Sequence, residues 1–231
     1  MNFIEGEILH IDKPLHWTSF RVVSVVRAKL CKKLKIKKLK VGHAGTLDPL
    51  ATGVLTLCTG KKTKIIDQLQ ALTKEYVATI RLGATTPSFD LETEIDNEYP
   101  TKHITKDLIE DKLKLYVGTI EQIPPIYSAV MVEGKRAYEY ARKNEDIELK
   151  PKILVIDNIE LISCNLPEII IRVVCSKGTY IRALARDIGK ALNSGAHLTE
   201  LKRTKIGDIT LESCLKMEEI DEFIEDNIKY N

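Results

Sequence analysis

The chain has 231 residues, 44% of them hydrophobic, enough for a substantial core in one large domain or one domain with an appendage. Its 29% charged residues are ordinary for a soluble protein, and no apolar run approaches the length of about 18 residues that a bilayer span needs. Five cysteines (Cys31, Cys58, Cys164, Cys175, Cys214), odd in number and without a CxxC pair, argue against a disulfide framework or structural zinc and for a reducing, cytoplasmic setting. The first residues, MNFIEGEILHIDK, carry neither the basic nor the apolar region of an export signal. The net charge is only +2, but it is uneven: residues 1–81 hold 15 Lys/Arg against 6 Asp/Glu, and residues 82–231 hold 20 against 27. Arg27 to Lys40 alone contains eight basic residues and no acidic one. Such a run is either a solvated helix face leading into a lysine-rich loop, or an arm for a polyanion.

In chain order, residues 7–11 (EILHI) read as a short strand. Thr18 or Ser19 can cap the helix that follows, in which Phe20, Val23, Val26 or Arg27, Leu30 and Leu34 recur at helical spacing. Residues 54–58 (VLTLC) read as a buried strand, and Gly60 as the turn from that strand into a helix. Residues 74–82 alternate, with Tyr76, Ala78, Ile80 and Leu82 on one face. Thr105 opens a helix over 105–117. Pro124-Pro125 begins an irregular segment reaching about residue 151, with a turn at Glu133-Gly134-Lys135 and a short helix in RAYEYARK. Residues 153–162 and 168–176 form a hairpin, and Gly178 ends its second strand. Thr179 is placed to cap a helix with the stripe Ile181, Leu184, Ile188 and Leu192. Residues 216–231 form an acidic segment, helical or not. Helices mixed with paired strands predict an α+β fold around a mixed, mostly antiparallel sheet.

Thr59-Gly60-Lys61-Lys62-Thr63 resembles half of a phosphate loop, but Leu55 and Lys62 occupy the places of its first glycine and its Ser/Thr, so that reading is rejected. The stretch 42–53, GHAGTLDPLATG, is more informative. An isolated Asp-Pro is usually a turn whose carboxylate bonds its own backbone. Here Gly42, Gly45 and Gly53 surround Asp48, and such a loop can project a carboxylate into a cleft. His43 is either a turn residue or a ring set against a base.

VGHAGTLDPLATGVL resembles the catalytic motif of the TruB family of pseudouridine synthases. The resemblance makes Asp48 the nucleophile and His43 the aid to displacing the target base. Further blocks follow in family order over almost the whole chain. IDKPLHWTSF, with Lys13 and Pro14, resembles the N-terminal block. KEYVATIRLGATTPSFDLETE brings Tyr76 against the target uracil, and QIPPIYSAVMVEGKRAYEYAR is similar to a thumb-like insertion that closes over RNA, here about 124–151. CSKGTYIRALARDIG supplies Tyr180 and Arg182, and LTELKRTKIG supplies the pocket residue Leu201.

The resemblance implies the pseudouridine synthase fold in a single catalytic domain over 1–231. It also implies an isomerisation of uridine 55 in the T-arm of transfer RNA, with no cofactor and no metal. Arg182 is then the charge partner of Asp48, since a guanidinium fork matches a carboxylate. From the residues alone, Arg182 lies off the apolar stripe and reads as a solvent-facing helix residue. Tyr76 and Tyr180 read as core aromatics, or as rings that receive a flipped base. His16 stands where the family commonly has glycine. Longer family members continue into an RNA-binding extension of the PUA kind. The acidic segment here predicts no such domain, more reliance on the Arg27–Lys40 run, and a stand-alone monomer with no obligatory protein partner and no membrane association. Two rivals remain. A non-catalytic RNA-binding or folding protein would share the basic face without needing Asp48, Tyr76 and Arg182 together. A nucleotide-dependent enzyme would use the Gly60-Lys61 turn.

Overall fold

The computed structural model describes residues 1–143 and 145–228. The elements in chain order are β1 (Ile8–Lys13), α1 (Ser19–Lys33), β2 (Val41–His43), β3 (Ala51–Thr59), a 3-10 turn (Gly60–Ile65) leading into α2 (Ile66–Ala71), β4 (Lys74–Leu82), β5 (Ala84–Thr85) and β6 (Asn97–Glu98). They continue with α3 (Lys106–Lys114), β7 (Gly118–Gln122), β8 (Met131–Val132), β9 (Lys135–Arg136), α4 (Ala137–Ala141), β10 (Lys152–Asn165), β11 (Glu168–Cys175), α5 (Ile181–Ala191), β12 (Ala196–Ile206), β13 (Ile209–Thr210) and α6 (Ile220–Asn227). The architecture is α+β, a mixed sheet with flanking helices, as expected. Two compact units divide the chain, Met1–Glu75 with Lys202–Asn231, and Tyr76–Leu201; the boundary falls inside β4 and β12. Among the described residues, no helix is long and apolar enough to cross a membrane.

In the first unit the strand order is β1-β3-β12, with β2 on β3 and β13 on β12. β1 runs antiparallel to β3, pairing Ile11 with Leu55 and Lys13 with Gly53. A parallel bridge joins Ile11 to Leu215. Helix α1 begins at Thr18, whose hydroxyl accepts from the Arg21 amide, so the cap read from the sequence is in place. Its buried arc is Ser19, Val22, Val23, Val26 and Leu30. Each buried Val or Leu contributes roughly 1.5–3 kcal/mol. Phe20, expected on that arc, is 67% exposed. At 3.6 residues per turn it falls past the arc's edge, which Val22 and Ser19 pull the other way.

The acidic segment expected over 216–231 contains α6, and residues 229–231 lie outside the described residues. Ile220, Ile224 and Ile228 enter the core with α1. On the surface Lys29 pairs with Asp221 and Lys33 with Glu225, each at 2.6 Å. The segment is therefore acidic on one side and apolar on the other.

The second unit has the order β12-β4-β11-β10-β7. Along β4 the buried residues Tyr76, Ala78, Ile80 and Leu82 alternate as the sequence predicts. β10 and β11 form the expected hairpin, pairing Leu161 with Ile171, and β7 adds to the other side of β10. α3 starts after Thr105, whose hydroxyl accepts from the Leu108 amide, but it ends at Lys114 rather than 117. The 124–151 segment holds the β8–β9 hairpin, turned at Glu133 and Gly134 with positive φ at both, and the short α4. Asn144, inside this segment, lies outside the described residues. The stripe Ile181, Leu184, Ile188 and Leu192 is buried. The cap of α5 differs from expectation: Tyr180 occupies the N-cap position, and the Thr179 hydroxyl donates to the Ser176 carbonyl instead.

Candidate active site

Asp48 lies half-buried on the loop between β2 and β3. Three side chains from outside the loop hold its backbone. The Ser19 hydroxyl donates to the Leu47 carbonyl (3.0 Å) and accepts from the Leu47 amide (2.9 Å). Lys13 is fully buried, and its ammonium donates to the carbonyls of Trp17 (2.7 Å), Pro14 (2.8 Å) and Pro49 (3.5 Å). Arg203 on β12 is 1% exposed; its guanidinium donates to the carbonyls of Val54 (2.7 Å), Gly45 (3.1 Å) and Thr46 (3.4 Å). Leu47 and Pro49, which flank Asp48, are thus both gripped. Gly53 lets the Arg203 strand approach, since a Cβ there would stand 2.2 Å from the Arg203 carbonyl oxygen. His16 closes the turn, its amide donating to the Pro49 carbonyl at 2.8 Å. It adopts φ +63°, a left-handed conformation that glycine takes without strain.

The charges in this loop act on each other. Burial pushes the Lys13 ammonium down to about 8; the nearby Asp48 carboxylate opposes that shift and Arg203 adds to it. His43, on β2 opposite Leu57, is pushed below the ordinary histidine value by burial and then by Arg203, while the Gly45 backbone works the other way. It is an uncharged ring at neutral pH. Lys13, His43 and Asp48 are therefore neighbours in the first unit, as the sequence reading requires. The buried Lys13 ammonium is engaged with carbonyls, which makes it a support of the loop.

Arg182 sits in the first turn of α5 and is 4% exposed, so it is not a solvent-facing residue. Nη2 donates to the Tyr127 carbonyl at 2.8 Å and Nη1 to the Ser88 carbonyl at 3.1 Å. Nε lies 3.5 Å from the buried carboxylate of Asp90. The loop supplying Ser88 and Asp90 is itself polar and tightly tied: Phe89 has φ +63°, the Ser88 and Thr93 hydroxyls are 2.9 Å apart, and Asp90 Oδ1 accepts from the Glu92 amide. Beside Arg182, the Tyr180 backbone exchanges two hydrogen bonds with the Gln122 side chain, at 2.9 and 3.1 Å. Tyr180 also lines an open groove of about 960 Å³ with Met131, Glu133, Glu148, Lys150 and Lys152. The thumb-like segment and Tyr180 thus share one concave surface. Tyr76 and Leu201 lie on the neighbouring strands β4 and β12, Tyr76 buried and Leu201 half-buried.

Arg203, Asp90 and Gln122 received no role from the sequence, and Ser19 only that of a possible helix cap. All four stand inside blocks that resemble the family, and that was their available signal. Their partners are backbone atoms or side chains far along the chain, which no local spacing reveals.

The first unit thus holds a carboxylate loop locked by a serine, a lysine and an arginine, and the second holds a caged arginine and a groove lined in part by Tyr180. Residues 32–181 match the TruB family pseudouridylate synthase N-terminal domain, and residues 182–229 match the tRNA pseudouridylate synthase B C-terminal domain. The chain belongs to the TruB family of pseudouridylate synthases, enzymes that isomerise. It is 67% identical to the tRNA pseudouridine synthase B of Phocaeicola vulgatus over 225 residues, covering 97% of this chain and 96% of that one. It is 67% identical to the protein of the same name from Parabacteroides distasonis over 228 residues, covering 99% and 97%. Among solved structures, a chain of a Cbf5-Nop10-Gar1 complex superposes with a TM-score of 0.72 at 29% identity. That likeness covers 98% of this chain, which spans 58% of the length of the other.

Proposed function

We propose that this protein converts uridine to pseudouridine in transfer RNA, at position 55 of the T-arm, with Asp48 as the nucleophile. The observation that carries the reading is the grip on the Asp48 loop. Ser19, Lys13 and Arg203 hold the backbone on both sides of one carboxylate, which is how a reacting group is kept at one position before substrate arrives. In the reaction the bond from ribose C1′ to uracil N1 breaks and a bond from C1′ to C5 forms. N1 ends with a proton and C5 loses one, so neither an oxidant nor a phosphate donor is required. Asp48 forms the transient bond with the nucleoside. Arg182 serves as the cation that keeps the carboxylate ionised. Tyr76 packs on the uracil and assists removal of the C5 proton. Tyr180 and Leu201 wall the pocket.

The target base must leave its stack, at a cost of a few kcal/mol. An uncharged His43 ring suits the task of filling the gap, because it enters a base stack without carrying a desolvated charge. The 124–151 segment folds over the RNA, and the exposed lysines after α1 meet its phosphates. The enzyme works in the cytoplasm as a monomer and without an obligatory protein partner. The test is incubation with unmodified transfer RNA followed by chemical mapping of pseudouridine at nucleotide resolution. One new pseudouridine at position 55 is the expected result; RNA that is bound and left unchanged would favour a binding protein that has kept the fold.

A further inference from the structure

Phe20 is a large aromatic residue in the first turn of α1, and at 67% exposure it contributes little to the core. One residue on, the Arg21 guanidinium lies over the Trp17 ring, 4.1 Å from its centroid. Trp17 packs against the core cluster of its unit, so Arg21 is stacked on a ring that is itself backed by packed side chains. Leu15 adds a 48% exposed side chain to the same segment. This knuckle is tied to the candidate nucleophile's loop: Ser19 holds Leu47, the His16 amide holds Pro49, and Lys13 links the Trp17 and Pro49 carbonyls. The segment 13–20 and the Asp48 loop are therefore fastened together.

We infer that Phe20 and the Trp17-backed Arg21 form an RNA-contact surface beside the Asp48 loop, which stacks an unpaired nucleobase of the substrate RNA. The inference rests on the RNA reading given above and goes beyond it by assigning a site. Two features on the page select a nucleobase over a protein side chain. Helix α1 has no acidic residue, and besides Lys29 and Lys33, which face Asp221 and Glu225, it carries Arg21, Arg27 and Lys32, so its charge complements a polyanion. An exposed guanidinium held over an indole offers a π-face and N–H groups together, a combination that suits a splayed base and its phosphate. The exposed phenyl ring of Phe20, one residue earlier on the helix, supplies a second π-face, which any base can use.

Trp17 is the only tryptophan in the chain, so its emission reports on this surface directly. The experiment titrates full-length Asp48→Asn protein with an unmodified transfer RNA transcript, following Trp17 fluorescence and filter retention in parallel. The expected result is a change in emission that saturates at the same RNA concentration as retention. Phe20→Ala and Arg21→Gln, each made in that background, should weaken retention about fivefold or more, the effect of losing one stacked base. In the active protein the same changes should raise KM. Leu115→Ala, a matched change at a 63% exposed apolar residue of the second unit, should leave binding within about twofold. Full retention with Trp17 emission unmoved, or wild-type affinity in both variants, would overturn the inference. So would a self-association that Phe20→Ala abolishes without altering RNA affinity, which would make the surface a contact between copies. Failure of the parent protein to retain RNA at all would instead overturn the transfer RNA reading, and this inference with it.

Discussion

Arg203 in the first unit and Arg182 in the second are both buried cations, yet their partners differ. Arg203 donates to three carbonyls, those of Gly45, Thr46 and Val54, on either side of the Asp48 turn. Arg182 donates to two carbonyls and also faces the buried carboxylate of Asp90. The first arrangement braces backbone through neutral acceptors, while its charge also bears on Lys13 and His43. The second fixes a charge in place with a counter-ion, which keeps a guanidinium oriented in a poorly solvated setting. Burial alone does not tell the two arrangements apart; the kind of partner does.

The largest effect should separate the two. Arg182→Met leaves Asp90 as a buried carboxylate without its cation and should cost about 3–5 kcal/mol, read from urea denaturation. Arg203→Met strands neutral carbonyls only and should cost about 3 kcal/mol, since each lost donor is worth about 1–3 kcal/mol and part is recovered by relaxation. Equal losses would erase the distinction. Arg203→Met should also depress turnover by loosening the loop, whereas Arg182→Lys should remove activity while sparing most of the stability.

Lys13 gives a pH test of the first region. Its folded value is lowered to about 8 from 10.5. Between those values the unfolded chain binds the extra proton and the folded one does not, so Lys13 makes stability rise with pH across that window. Denaturation at pH 7.5, 8.5 and 9.5 should show that rise, and Lys13→Met should flatten it. A parallel slope in both proteins would mean that the ammonium is not desolvated.

Ser19→Ala removes both hydrogen bonds to Leu47 and should cost about 1–2 kcal/mol, with kcat falling more than KM rises. The smallest effects belong to the surface. Lys33→Gln, which breaks the exposed pair with Glu225, should change stability by less than about 1 kcal/mol. Replacing the exposed Lys35, Lys37, Lys38 and Lys40 with Gln should weaken transfer RNA binding and flatten its salt dependence more than replacing Lys29 and Lys33, which already face carboxylates. An unchanged salt slope in the fourfold variant would remove the basic run from the RNA surface.

Much of the fold was legible because it is written in local patterns. The alternation around Tyr76, the stripe of α5, the caps at Thr18 and Thr105 and the Glu133-Gly134 turn all depend on neighbours a few residues apart. Strand β12 was harder to see, because its Arg203 is buried where a strand pattern would show an apolar residue. The apolar side of α6 was hidden by its carboxylates, although Ile220, Ile224 and Ile228 stand at helical spacing. Of the candidate site, Asp48 and its glycines could be singled out from residue type. Arg182 became a candidate only through family resemblance, since nothing local distinguishes a caged arginine from a solvated one. The Ser19 and Arg203 clamps join segments 28 and about 150 residues apart, a separation that leaves no trace in a window of sequence.

The most direct test is Asp48→Asn, assayed by filter retention of unmodified transfer RNA and by chemical mapping of position 55 after long incubation. The change swaps one carboxylate oxygen for an amide and leaves every clamp on the loop in place. The expected result is RNA retained at the affinity of the parent protein with no pseudouridine formed. Pseudouridine appearing at position 55 at a rate near that of the parent would show that Asp48 is not the nucleophile.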